Sequence, residues 1–197
     1  MSVKNQLDTR VEKWALLKHP FYKAWEAGEL PQKALQAYAS EYGAFIASMP
    51  SGWETLNDSE TAEEEREHIV LWQDFASGLD TKIDKAQLPA IKELVASAEN
   101  LFSQEPTALG ALYAFEVQQP ETAKSKLEGL KAHYDLPASV EPYFEEHSHN
   151  EHEAEKLLGR INELSEDDQK IAFQACEQMS SALWDALTDI YDTHCKM

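Results

Sequence analysis

Apolar residues return every three to four positions along almost the whole chain, and nowhere do β-branched and aromatic residues gather into alternating or continuous strand-like runs. Ala, Leu, Glu and Lys dominate even the most apolar stretches, which is helix-forming chemistry. The pattern therefore predicts an all-α fold in a compact bundle of about seven main helices. LDTRVEKWALL sets Leu7, Val11, Trp14 and Leu17 near one face, and a short second helix starts at Pro20 with Phe21, Ala24 and Trp25. A third helix is predicted over 31–48, closed by Pro50, Ser51 and Gly52, and a fourth over 60–78 after an acidic first turn. Further helices fit 88–102, 106–118, 120–133, 139–158 and 165–194, with short connections. No fixed repeat or sustained heptad occurs, so neither a solenoid nor a long coiled coil is supported.

The length of 197 residues suits one domain spanning 1–197. A formal charge of -19 repels a phosphate backbone and argues against nucleic-acid partners. No apolar run long enough to span a membrane and no secretory leader pattern is present, so a cytoplasmic protein with no membrane partner is expected. Cys176 and Cys195, two late cysteines without a CxxC pattern, are expected as reduced thiols.

The informative polar residues are carboxylates and imidazoles set into apolar sequence. Glu116 follows Leu109, Leu112, Tyr113 and Phe115 in ALGALYAFEVQQP; facing the core, it needs a counter-charge, a hydrogen-bond network or a metal. Facing solvent, it needs nothing. Glu64 and His68 in EEEREHIVLW lie four residues apart on one helix face, as do His147 and Glu151 in YFEEHSHNEHEAEKL. Such ligands from several helices can assemble a non-haem iron or dinuclear site in a bundle core. The plainer reading is a set of solvated charge runs, since Glu is abundant and i,i+4 pairs arise by chance.

HPFYKAWEAGELPQKALQAYASEYGAFIASMP resembles the N-terminal helices of TenA and PqqC-like proteins, which share the haem-oxygenase-like fold. EHIVLWQDFASGL, ALGALYAFEVQQPETAKSKLEGLKAHY, YFEEHSHNE and LWDALTDIY resemble the iron-binding branch that includes the chlamydial death-domain-associating protein. The resemblance covers roughly 18–194. It implies a di-iron oxidase or oxygenase that activates dioxygen to oxidise a small organic molecule, with His68, Glu116, His147 and Glu151 as iron ligands. The first acidic ligand stays open: the family position falls on Thr61, resemblance favours Glu60, and helix geometry favours Glu64. The family's last histidine position falls on Ala154, which cannot ligate, so the chain is expected to hold one iron or two, the second weakly. His152 lies one helical step, about 100°, from Glu151 and is a poor substitute.

Tyr22, Tyr38 and Lys126 are candidate reacting side chains, and Tyr38, Tyr42, Trp72 and Tyr113 are candidate pocket residues with core packing as their ordinary role. Two alternatives stand beside the iron enzyme. A metal-free TenA- or PqqC-like enzyme would need a well-placed cysteine or a cationic pocket, and a non-catalytic helical interaction protein would need neither. Family analogy and the frequency of two-fold assemblies point to a homodimer.

Overall fold

A computed structural model describes residues 1–150 and 152–196. Among these residues the chain forms helices and no strand: α1 Val3–Lys13, α2 Pro20–Glu26, α3 Gln32–Ala37, α4 Gly43–Ile46, α5 Met49–Thr55, α6 Ser59–Gly78, α7 Pro89–Leu101, α8 Glu105–Glu116, α9 Gln119–His133, α10 Pro142–His147, α11 His152–Glu163 and α12 Glu166–His194. Helices α1, α6, α7, α8, α9, α11 and α12 have eleven residues or more and form the body of the bundle. The starts follow local chemistry. Ser2, Asp58 and Ser165 cap backbone N–H groups of α1, α6 and α12 with their side-chain oxygens. Pro20, Pro50, Pro89, Pro106, Pro120 and Pro142 all fall in first turns, where a missing N–H costs nothing.

The spine is α12, whose 29 residues run about 43 Å. Against it lies α8, in which every residue from Ala108 to Glu116 is buried. A helix apolar all round must sit at the centre of a bundle, and Glu116 is carried there with it. The two backbones touch at Gly110, where an added Cβ would stand 1.9 Å from the carbonyl oxygen of Ala172.

Three boundaries differ from the sequence expectation. The helix over 31–48 is interrupted by a π-helical turn at Tyr38–Tyr42, and the Trp72 indole N–H donates to the Ala39 carbonyl inside that turn at 2.8 Å. Pro50 and Gly52 do not end a helix but lie inside α5, because Pro takes the first turn and Gly52 permits close packing on Leu112 and Phe102. The segment 139–158 is not one helix. It begins with a 3-10 turn at Ala138–Val140, continues as α10, and breaks after His147, where the Ser148 hydroxyl bonds back to the Glu145 carbonyl at 2.8 Å. α10 and α11 thus point their side chains independently. No described helix is long and apolar enough to cross a membrane.

Candidate metal centre

Four helices deliver ligand-type side chains to one place. On α6 the buried stripe runs Thr61, Glu65, His68, Trp72 and Phe75, alternating three- and four-residue steps, so Glu65 and His68 face inward together. Glu116 comes from the end of α8, His147 from the end of α10, and Glu153 from the first turn of α11, on the buried face it shares with Leu157 and Ile161. Ligand atoms of Glu65, His68 and His147 lie within 4.8 Å of one another, and so do those of Glu65, Glu116 and Glu153. Glu65 joins the two groups. Each of the five residues is at most 8% exposed.

Apart from His147 Nδ1, the buried polar atoms of this cluster have no protein hydrogen-bond partner. Glu65 Oε1, His68 Nδ1 and both carboxylate oxygens of Glu116 and Glu153 are buried without a hydrogen bond. Glu65 Oε1 and His68 Nδ1 stand 3.6 Å apart, too far for one. Three buried carboxylates with no bonded donors form an arrangement that a bound cation would satisfy, since leaving one such charge unpaired costs several kcal/mol. Oxygen and imidazole donors in this mixture suit a divalent transition metal such as iron. The residues present fit the group.

Electrostatics agree. Burial, then Glu153 and Glu65, push the Glu116 carboxyl well above the usual carboxylate range, and burial with Glu65 raises Glu153. Burial lowers His68, but the Glu65, Glu153 and Glu146 carboxylates together outweigh it and the net direction is upward. Burial and the neighbouring His68 hold His147 down at about 3, so its ring is neutral. Its Nδ1 lies 2.8 Å from the Tyr143 carbonyl, an acceptor that requires the proton on Nδ1 and leaves the Nε2 lone pair free for a metal.

Beside His147 begins a continuous run of aromatic rings. Tyr143 stacks on His147 at 4.1 Å, Trp72 meets Tyr143 at 4.7 Å, and Tyr38 meets Trp72 at 5.4 Å. Lys126, 2% exposed, ends the run: its Nζ donates to the Tyr38 hydroxyl at 3.1 Å and sits 5.0–5.6 Å from the Phe144, Tyr22 and Tyr38 ring centres. Burial depresses its ammonium to about 7, and burial raises Tyr22 to about 12 and Tyr38 further. Tyr42 and Trp72 are packed in this core, whereas Tyr113 lines a pocket of about 250 Å³ together with Glu116 and Ala154.

Of the residues singled out in the sequence, the structure brings His68, Glu116 and His147 together. Glu60 and Glu64 are exposed, with Glu65 occupying the inward position on α6. Glu151 lies outside the described residues. Glu65 and Glu153 escaped sequence reasoning, although their spacing to His68–Trp72 and to Leu157–Ile161 places both on apolar stripes. Cys176 is buried in α12, where burial pushes its thiol up to about 12, the opposite of an activated nucleophile.

A carboxylate and histidine cluster drawn from four helices of a bundle is the kind of arrangement in which helical bundles hold non-haem metal. The chain belongs to the family described as iron-containing redox enzymes, whose model matches residues 51–183. It is 30% identical to the 4-aminobenzoate synthase of Chlamydia muridarum over 207 residues, covering 93% of this chain and 88% of that protein. Among solved structures it is similar to a domain of unknown function with a haem-oxygenase-like fold from Shewanella denitrificans, with a TM-score of 0.79, 15% identity and coverage of 98% and 93%. It also resembles a TenA homologue from P. horikoshii, with a TM-score of 0.74, 13% identity and coverage of 97% and 99%. These likenesses establish the haem-oxygenase-like fold.

Proposed function

We propose that the chain is an iron-dependent oxidase or oxygenase that uses dioxygen to make 4-aminobenzoate, with Glu65, His68, Glu116, His147 and Glu153 holding one or two iron ions. The observation that supports this reading is the convergence of buried ligand atoms from those five residues, four of which hold atoms with no protein partner. A metal-free enzyme or an inert interaction protein would leave these atoms stranded. The name carried by the Chlamydia muridarum relative supplies the product.

Ferrous iron, when bound, supplies the electrons that reduce dioxygen, which no amino-acid side chain does readily. The protein's own residues do the rest. His147 presents Nε2 because Tyr143 fixes its tautomer. Trp72, Tyr143 and Phe144 exclude water around the reacting region and keep Tyr38 and His147 in a fixed relation. Lys126, held near neutrality by burial, carries a free lone pair for a good share of the time at pH 7, and its Nζ is set against the para oxygen of Tyr38. Tyr38 carries a para-substituted ring, as the product does, Lys126 holds an amine 3.1 Å from its oxygen, and the Tyr22 ring lies 5.5 Å from that amine, so we assign Lys126, Tyr38 and Tyr22 as the reacting side chains. We further propose that the whole chain folds as one domain and works as a cytoplasmic homodimer; light scattering showing only monomer would refute the dimer.

The test is aerobic incubation of the full chain with ferrous iron and a chemical reductant, followed by mass spectrometry of small molecules and of proteolytic peptides. The expected result is 4-aminobenzoate, with a mass change at Tyr22, Tyr38 or Lys126. Iron-loaded, oxygen-consuming protein that forms no 4-aminobenzoate would remove the product assignment.

A further inference from the structure

A second group of ligand-type side chains lies on the solvent side of the buried cluster. Ligand atoms of Glu64, His152 and Glu153 come within 4.8 Å of one another, with Glu64 and His152 exposed and Glu153 1% exposed. Glu153 therefore belongs to two triads at once, this outer one and the inner one with Glu65 and Glu116. His152 and Glu153 open α11 as consecutive residues about 100° apart, which sends one outward and the other inward.

Two members of the outer triad, Glu64 and His152, line a pocket of about 560 Å³ whose wall also includes Glu67, His68 and Glu146, and Glu153 lies behind them. That wall runs from exposed carboxylates to His68, a member of the buried cluster. Acidic side chains at the mouth of a cleft concentrate cations there. Both oxygens of Glu153 are buried and unpartnered, so its carboxylate is aimed at ligands on either side and tied to neither by a protein hydrogen bond.

We infer that Glu64, His152 and Glu153 form a transit site that captures ferrous iron at the mouth of this pocket, and that Glu153 passes the ion inward to Glu65 and Glu116. This rests on the proposed buried iron centre. Two carboxylates and one imidazole at an exposed position suit a borderline divalent cation but leave most of its coordination to water, so binding there is weak and exchange fast. The transfer needs no redox change: one Glu153 oxygen keeps the ion while the ligands on its two sides exchange.

The test follows anaerobic ferrous uptake into chelator-stripped full-length protein by stopped flow, with final iron content measured after removal of loose metal. The double variant Glu64→Gln, His152→Gln alters only exposed side chains; Asp74→Asn, an exposed change elsewhere on α6, controls for the general field. The proposal expects at least tenfold slower uptake in the double variant, less than twofold change in Asp74→Asn, and unchanged final iron in both. It also expects weak Mn(II) binding to iron-filled wild type, read by electron paramagnetic resonance, to be lost in the double variant. Unchanged uptake in the double variant, or equal slowing in the control, overturns the transit site while leaving the buried centre intact. Lower final iron in the double variant overturns it too, by making Glu64 or His152 a ligand of the inner centre. A wild type that takes up no iron refutes the buried centre and the transit site together.

Discussion

Lys126→Met should make the metal-free protein more stable. The Lys126 ammonium is 2% exposed, donates one hydrogen bond to Tyr38, and has no carboxylate partner among the described residues. Burial takes its pKa from 10.5 to about 7, so at pH 7 the unfolded chain holds a full proton there and the folded chain about half of one. The linkage integral between these values is a cost to folding of about 4 kcal/mol at pH 7. Met fills similar space without charge, and it forfeits the Tyr38 hydrogen bond and three ring contacts, together worth about 1–2 kcal/mol. The expected net gain is about 2–3 kcal/mol. The sign with pH follows from a lowered lysine: the folded state binds fewer protons between pH 7 and 10.5, so wild-type stability rises across that range. At pH 9.5 the cost falls to about 1.4 kcal/mol, and the advantage of the variant nearly vanishes. Tyr22, raised to about 12, does not titrate in this window. Urea unfolding of both proteins with chelator at pH 7 and 9.5 reads the difference. A variant that is no more stable at pH 7, or a difference flat with pH, would refute the claim that Lys126 is an uncompensated buried amine.

Gly110→Ala places a methyl 1.9 Å from the Ala172 carbonyl oxygen, a backbone atom that cannot step aside, and should cost at least about 3 kcal/mol in thermal unfolding followed by circular dichroism; a loss below 1 kcal/mol would mean that α8 and α12 are not in backbone contact. Ala154→His introduces an imidazole into the pocket of about 250 Å³ shared with Glu116 and should tighten the weaker ferrous site at least tenfold in an anaerobic titration. Identical isotherms for wild type and variant would show that the pocket does not open onto the metal centre.

The helical architecture was legible because helix periodicity and the placement of every helix-starting proline but Pro50 agree from Leu7 to Ile190. The interruptions were not. The π turn at Tyr38–Tyr42 is stabilised by the Trp72 side chain reaching across 33 positions, a tertiary contact with no local signature. At the centre, His68, Glu116 and His147 were readable as polar residues set into apolar sequence. Glu65 was passed over because i,i+4 spacing pairs His68 with Glu64, whereas burial on α6 follows Thr61, Glu65, His68 and Trp72, putting the ligand at i−3. Glu153 was hidden by treating 139–158 as one helix. The break after His147 changes how α11 is oriented relative to α10, and with it Glu153, on the face of Leu157 and Ile161, reaches the same cluster as His147.

The most direct test of the account is diffraction from crystals of the protein loaded anaerobically with ferrous iron, collected on both sides of the iron absorption edge. The account predicts anomalous density enclosed by Glu65, His68, Glu116, His147 and Glu153, with donor atoms at about 2.0–2.2 Å, the range of nitrogen and oxygen ligands to a borderline divalent metal. Iron confined to exposed carboxylates, with Glu116 and Glu153 protonated and bonded to each other, would contradict it.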